Sequence, residues 1–206
     1  APIANLLGLS RLFNTKNLLD DRNVKVIRNI ESSASNIDSI LKDLNKILAI
    51  KRDLNKEKEE VSLDEIIYQV LKSLEREFIE VRPRIELDMK VSKLLTIKSY
   101  ITSIFTNLIS NSIKYRASDR ECNITISTYK QNDNIFIEFE DNGMGIDLDK
   151  FGDQIFGLYK RYHRHVEGTG MGLLLVKSQI EAMGGRISVD SALNKGTTFK
   201  IELYHD

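Results

Sequence analysis

A chain of 206 residues, 41% hydrophobic and 29% charged, can bury a core in one large domain or two small ones. Its 30 basic and 30 acidic residues cancel, which argues against a protein that grips nucleic acid by bulk charge. No apolar run is long enough to span a bilayer, and the single cysteine, Cys122, excludes an intrachain disulfide and a cysteine-based zinc site. A reducing, cytoplasmic setting fits. The start at Ala1-Pro2, with no initiator Met and no secretory signal, reads as a piece of a longer protein, so any membrane span or sensor module of the parent is expected outside this chain.

Residues 1 to about 58 hold one glycine and no strand pattern. Ile3, Leu6, Leu7, Leu9, Leu12 and Phe13 mark the end of an amphipathic helix, and the polar stretch Asn14 to Asn23 reads as a turn or loose connection. Ile27, Ile30, Ala34, Ile37, Leu41, Leu44 and Leu48 then recur at spacings of three and four, a heptad seam opposite Lys25, Glu31, Asp38, Lys42 and Lys46. A two-helix hairpin cannot bury such a seam alone, so a four-helix bundle dimer or packing on another domain is expected. The charged run Asp53 to Glu60 reads as a hinge, dividing a helical hairpin (residues 1–58) from a second domain (residues 59–206).

Val61-Ser62-Leu63-Asp64 opens a helix with Ile66, Ile67, Val70, Leu71 and Leu74 as its buried stripe. Ile85, Leu87 and Met89 alternate with charged residues as in a half-buried strand. Ile101, Ile104, Phe105, Leu108, Ile109 and Ser112 mark a strong helix. Two alternating strands follow, through Ile124, Ile126 and Thr128, then Ile135, Ile137 and Phe139, around a turn at Gln131 to Asn134. Irregular, glycine-containing sequence runs from Asp141 to Gly170. A helix from Met171 to Met183 stops at Gly184-Gly185, and a last hairpin pairs Arg186–Asp190 with Thr197–Leu203 around Asn194-Lys195-Gly196. The pattern is α+β with hairpins dominating, not the strand–helix alternation of a doubly wound parallel sheet.

Four segments carry chemistry. Asn107 and Asn111 share a helix face, where two amide oxygens suit a hard cation such as Mg²⁺, and Lys114 adds positive charge. Asp141-Asn142-Gly143-Met144-Gly145 ends a strand; its carboxylate can accept from an exocyclic amine, and its glycines let backbone approach a ligand. Gly168-Thr169-Gly170-Met171-Gly172-Leu173 runs into a helix, the form of a phosphate cradle without the lysine of a P-loop. Gly196-Thr197-Thr198-Phe199 is a glycine turn entering a strand. Each alone is ordinary: a surface amide pair, an acidic turn, a flexible loop, a hairpin.

Taken in order, these segments resemble the N, G1, F, G2 and G3 boxes of the catalytic ATP-binding domain of sensor histidine kinases, with Phe156 in Ile155-Phe156-Gly157-Leu158-Tyr159 as the F-box aromatic. The resemblance implies a helical hairpin, forming a dimeric four-helix bundle, followed by a Bergerat (GHKL-type) α/β sandwich with a mixed sheet. Ala1-Pro2-Ile3-Ala4-Asn5-Leu6-Leu7-Gly8-Leu9 resembles the tail of the H box, which puts the phospho-accepting histidine just before Ala1; His163, His165 and His205 lack that context. By the same resemblance Asn111, helped by Asn107, coordinates the Mg²⁺ that bridges the ATP phosphates, Lys114 contacts phosphate, and Tyr115 lies along adenine or ribose. Asp141 receives the adenine amine, Gly143 and Gly145 line the base pocket, and Gly168, Thr169, Gly170, Met171, Gly172 and Leu173 hold the phosphates. Thr197 and Thr198 close the adenine side. A basic lid, Lys160, Arg161, His163, Arg164 and His165, covers the triphosphate, with Arg161 offsetting charge as the γ-phosphoryl group leaves. Met171 stands where the family usually has Leu, and Ser112 where it has Ala; both are read as small changes.

The implied function is the kinase core of a two-component system. It binds Mg-ATP, transfers the γ-phosphate to a histidine for relay to a response-regulator aspartate, forms a homodimer through the hairpin, and touches neither nucleic acid nor membrane. A chain without the acceptor histidine is expected to bind ATP yet not autophosphorylate. Another GHKL-type ATPase or kinase, or a dimeric signalling scaffold with a degenerate pocket, stays open at this point.

Overall fold

The computed structural model describes residues 2–17, 20–52, 57–157 and 170–204. The chain divides into two compact units, Ala1–Lys46 and Ile47–Asp206. The first holds helix α1 (Pro2–Leu12) and most of α2 (Asp21–Arg52). The connection between them is not loose. Asn23, only 3% exposed, accepts from the Asn14 N–H at 2.8 Å and donates to the Asn14 and Asn17 carbonyls at 3.2 and 3.1 Å. Asn14 in turn donates to Asp20 at 2.9 Å and caps the Lys16 and Asn17 N–H groups. Short amides mimic backbone partners, which is how Asn14 and Asn23 order the described residues of this largely polar stretch. Arg22 beside Asp20, at 2.7 Å, together with Asn14, holds the Asp20 carboxyl well below the usual range.

The burial of α2 differs from the seam read in the sequence. Val26 and Ile40 are buried, Ile30 and Ile37 half-buried, while Ile27, Ala34, Leu41 and Leu48, spaced every seven residues, are exposed together with Leu44. The helix thus carries two apolar stripes one residue out of step, and the chain covers one of them.

In the second unit, β1 (Glu59–Ser62) pairs antiparallel with β3 (Lys93–Thr96), a small sheet that sequence patterning did not anticipate. Its strands have four residues each, too few to display a period. Val61 and Ser62 are therefore strand, and α3 (Leu63–Ser73) begins at Leu63, with the Ser62 hydroxyl accepting from the Glu65 N–H. A short helix, α4 (Glu75–Val81), follows. The main sheet has five strands in the order β2 (Arg84–Met89), β4 (Asn123–Gln131), β5 (Asn134–Asp141), β7 (Gly196–Leu203), β6 (Arg186–Ala192). Only β2 and β4 run parallel. Leu87 on edge strand β2 is exposed, while Ile85 and Met89 reach the core.

Asn132 and Asp133, both at positive φ, make the tight turn between β4 and β5, the backbone sense that suits strand twist. Ile124, Ile126 and Thr128 on β4, and Ile135, Ile137 and Phe139 on β5, are buried. They share one core with Ile66 and Val70 of α3, with α5 (Lys98–Lys114) through Ile101, Phe105, Leu108 and Ile109, and with α7 (Gly172–Ala182) through Val176 and Ile180. Between β5 and α7 lie α6 (Leu148–Phe151) and a 3₁₀ turn, Gly152–Phe156. The architecture is a mixed sheet layered with helices, as expected.

Phe105 is 0% exposed and meets Phe139 edge-to-face at 4.9 Å, joining α5 to the middle of the sheet. Phe105→Ala should cost about 3–5 kcal/mol, by lost transfer energy plus the cavity left behind. Urea unfolding followed by circular dichroism checks this; a loss under about 1 kcal/mol would mean that this contact does not anchor the layer.

Candidate functional site

Among the described residues, those expected at the site lie at one end of the second unit, where α5 finishes, β5 stops and α7 starts. Helix α5 turns its apolar positions to the sheet and leaves Asn107 and Asn111 half-buried at the rim. The Asn107 Nδ2 donates to the Ser103 carbonyl at 2.8 Å, which orients the amide. Its Oδ1 lies against the first residue of α7: a Cβ on Gly172 would sit 2.8 Å from it. The amide oxygen and the N-terminal end of α7 are thereby neighbours. Gly170, just before, has φ +70.

Asp141 ends β5 opposite Thr197 on β7. Its Oδ1 accepts from the Gly143 N–H at 2.8 Å and its Oδ2 from the Ser112 hydroxyl at 3.2 Å. The surrounding backbone is packed beyond what a side chain allows. A Cβ on Gly196 would fall 1.8 Å from the Asp141 carbonyl oxygen, and one on Gly145, at φ +64, would fall 1.9 Å from that of Ala192. A Cβ on Gly143 would fall 2.5 Å from the Tyr115 carbonyl oxygen, which accepts from the Met144 N–H at 2.9 Å. Lys114 sits 5.6 Å from the centre of the Tyr115 ring.

A sequence model of the histidine kinase-, DNA gyrase B-, and HSP90-like ATPases matches residues 97–206, which contain all of this geometry. The chain belongs to that ATPase family. Membership carries ATP binding with it, and residues 97–206 are an ATP-binding domain of the histidine kinase type. The chain is similar to sensor histidine kinase WalK of Bacillus subtilis (strain 168), 30% identical over 139 residues, covering 66% of this chain and 22% of WalK. It is likewise similar to histidine-protein kinase ArlS of Staphylococcus aureus (strain USA300), 30% identical over 180 residues, covering 82% and 39%. The methanogenesis regulatory histidine kinase FilI of Methanothrix harundinacea (strain 6Ac) is 29% identical over 180 residues, covering 87% and 20%. The chain therefore spans a fifth to two-fifths of the length of these relatives. Among solved structures, the Acinetobacter baumannii histidine kinase AdeS superposes with TM-score 0.72 at 22% identity, covering 99% of this chain and 95% of that one, which establishes a shared fold.

This ATPase domain brings together Asn107, Asn111, Lys114, Tyr115, Asp141, Gly143, Gly145, Gly172, Thr197 and Thr198 at the ends of four adjoining elements. Met171, expected in the nucleotide site, has a fully buried side chain. It is 0% exposed and packs with Ile47, Ile50, Tyr100 and Leu175. Leu173 packs partly on the main core. Thr197 is buried and its hydroxyl meets that of Ser191 at 3.0 Å. Arg161, Gly168 and Thr169, with the rest of the basic lid, lie outside the described residues. No cluster of three or more His, Cys, Asp or Glu among the described residues could hold a metal. A hard cation shared with phosphate oxygens needs only a few neutral oxygens, and the oriented Asn107 amide beside a helix start fits that demand.

Two features escaped sequence reading. Ser112 is more than a small change, since it hydrogen-bonds the Asp141 carboxylate. Arg120 donates to the carbonyls of Asn142, Gly143 and Asn194 behind the Asp141 loop. An arginine in a polar stretch carries no pattern that separates a clamp from a solvated charge.

Burial pushes the Asp141 carboxyl above the usual range, while hydrogen bonds from Gly143, Ser112 and the Thr197 backbone oppose that and the Glu140 charge adds to it. A raised folded-state pKa stabilises the fold fully below the unfolded value of about 3.9, and that contribution is lost as pH rises through the folded value. At neutral pH the ionised carboxylate is thus a net cost to the empty fold. Asp141→Asn should melt at or above the unsubstituted chain at pH 7, with the advantage shrinking towards pH 4. A lower Tm at pH 7 would contradict this reading.

Proposed function

We propose that this chain is the kinase core of a two-component sensor histidine kinase, with residues 1–58 as the dimerisation and phosphotransfer hairpin and residues 59–206 as the catalytic ATP-binding domain. The observation that carries it is the meeting of the oriented Asn107 amide, the glycine start of α7 and the Asp141 carboxylate within an ATPase-family domain. Supporting it are relatives that are histidine kinases over most of this chain's length.

In this reading Asp141 accepts from the adenine amine, because an anionic oxygen discriminates for an amine donor and against a carbonyl. Gly143 and Gly145, by admitting the Tyr115 and Ala192 carbonyls, let the loop backbone line the base pocket, with Tyr115, Thr197 and Thr198 at its border. Gly168, Thr169, Gly170, Met171, Gly172 and Leu173 offer backbone N–H groups to the phosphates at the helix start. Asn107 and Asn111 hold Mg²⁺, which neutralises phosphate charge, and Lys114 and Arg161 add positive charge for the transferring group. The enzyme's part is positioning and charge stabilisation, and the acceptor is a histidine side chain, with a response-regulator receiver domain downstream. The exposed stripe of Ile27, Leu41, Leu44 and Leu48 is the dimer seam, where heptad spacing keeps one face towards a second copy. No helix among the described residues is long and apolar enough to cross a membrane, and the cytoplasmic setting is part of the proposal.

Titration with ATP in the presence and absence of Mg²⁺ tests the site. Asn111→Ala should weaken Mg²⁺-dependent ATP affinity by at least about tenfold, as expected when one ligand of a shared cation is removed. An unchanged affinity would remove Asn111 from the site, and no ATP binding by the unsubstituted chain would overturn the kinase reading. Leu41→Glu with Leu48→Glu should convert a dimer to a monomer in light scattering at micromolar concentration. A chain that is already monomeric would count against the seam.

A further inference from the structure

Asn142 and Gly143 are joined by one planar peptide, so its carbonyl and its N–H point in opposite directions. On one side the N–H donates to Asp141 Oδ1 at 2.8 Å. On the other, the carbonyl accepts from the Arg120 Nε at 2.9 Å. The next peptide repeats the arrangement. Arg120 Nη2 donates to the Gly143 carbonyl at 3.3 Å, and the Met144 N–H across that peptide donates to the Tyr115 carbonyl at 2.9 Å. The same Nη2 donates to the Asn194 carbonyl at 2.6 Å, and the Asn194 N–H donates to the Met144 carbonyl at 2.7 Å. A ring of hydrogen bonds thus closes through one guanidinium, tying the Asp141 loop to the β6–β7 turn. The neighbouring Asp119 carboxylate, at 3.9 Å and largely exposed, does not compete for this fork.

We propose that Arg120 is a positioning residue of the nucleotide site, fixing the peptide that orients the Asp141 carboxylate and so setting the preference for adenine over guanine. The proposal rests on Asp141 as the base-recognising group. A glycine-containing loop has many peptide orientations of similar energy, and Gly143 by itself does not choose among them. Arg120 chooses by holding both carbonyls on the side away from Asp141. The charge-assisted bond to the Asn142 carbonyl also polarises the peptide, strengthening its N–H as a donor to the carboxylate. A carboxylate pinned at Oδ1 by Gly143 and at Oδ2 by Ser112 keeps one plane, and therefore one direction for its remaining lone pairs. Freed from the pin it rotates, and an amine and a carbonyl on the base are told apart less sharply. Arg120 touches neither base nor phosphate in this role.

The test compares ATP and GTP affinity, with Mg²⁺, for the unsubstituted chain, Arg120→Gln, Arg120→Lys and Asp141→Asn, alongside their melting temperatures. The unsubstituted chain should prefer ATP, and Arg120→Gln should reduce that preference by at least about fivefold, the worth of one hydrogen bond, while GTP affinity moves by less than about twofold. Arg120→Lys keeps the charge and one donor but not the fork, and should fall between the two. In an Asp141→Asn background, Arg120→Gln should change the ATP-to-GTP ratio no further. Equal loss of both affinities in Arg120→Gln and Arg120→Lys, or a ratio that neither changes, overturns the proposal and leaves a surface clamp. Should Arg120→Gln not fold, Arg120→Lys alone decides by the same ratio. Absence of ATP binding by the unsubstituted chain is a separate outcome, which overturns the kinase reading and this inference with it.

Discussion

At the end of β5 a carboxylate that burial disfavours is held in place by backbone passing closer than any side chain permits. Gly196 crosses the Asp141 carbonyl and Gly145 crosses that of Ala192, each where a single added carbon would overlap an oxygen. These crossings bring β5 and the β6–β7 hairpin together at the point where the sheet opens into loops. Gly143 and Ser112 then supply donors to the carboxylate from a turn and from α5. The net penalty on charge remains. The stability lost there is supplied by the core beneath it.

That core is built so that α5 serves two purposes at once. Ile101, Phe105, Leu108 and Ile109 are fully or almost fully buried, while Asn107 and Asn111 stand at the edge of the same helix. A period of 3.6 residues makes this possible, since amides four apart share a line that the apolar stripe does not occupy. The Phe105–Phe139 contact fixes the height of the helix above the sheet, and with it the distance between the amide rim and the carboxylate at the strand end. Met171 contributes in the same way. Its burial with Tyr100 and Leu175 anchors the start of α7.

Most of the layer architecture was legible in the residues. The alternation in β4 and β5, the stripe of α5, and the glycine stop after α7 are local signals strong enough to survive tertiary context. The Asp141, Asn107 and Asn111 positions were legible only as an ordered set. The small β1–β3 sheet was not, because four-residue strands show no period, and neither was the Asn14–Asn23 knot, because amide hydrogen bonds leave no periodic pattern in the residues. The stripes of α2 show the same limit: the sequence displays both apolar faces, but only packing chooses which one the chain covers.

The sequence by itself determined the mixed α+β fold and the family, and it named the groups proposed for the site, since periodicity and motif order are properties of the chain read locally. Tertiary structure alone decided that the Met171 side chain is buried, that Ser112 and Gly143 share the Asp141 carboxylate, and that Arg120 gathers carbonyls from two separate turns. The reason is that burial and hydrogen-bond geometry depend on which distant segments meet. Arg120 and Asn194 are 74 residues apart, and no local pattern records their 2.6 Å contact.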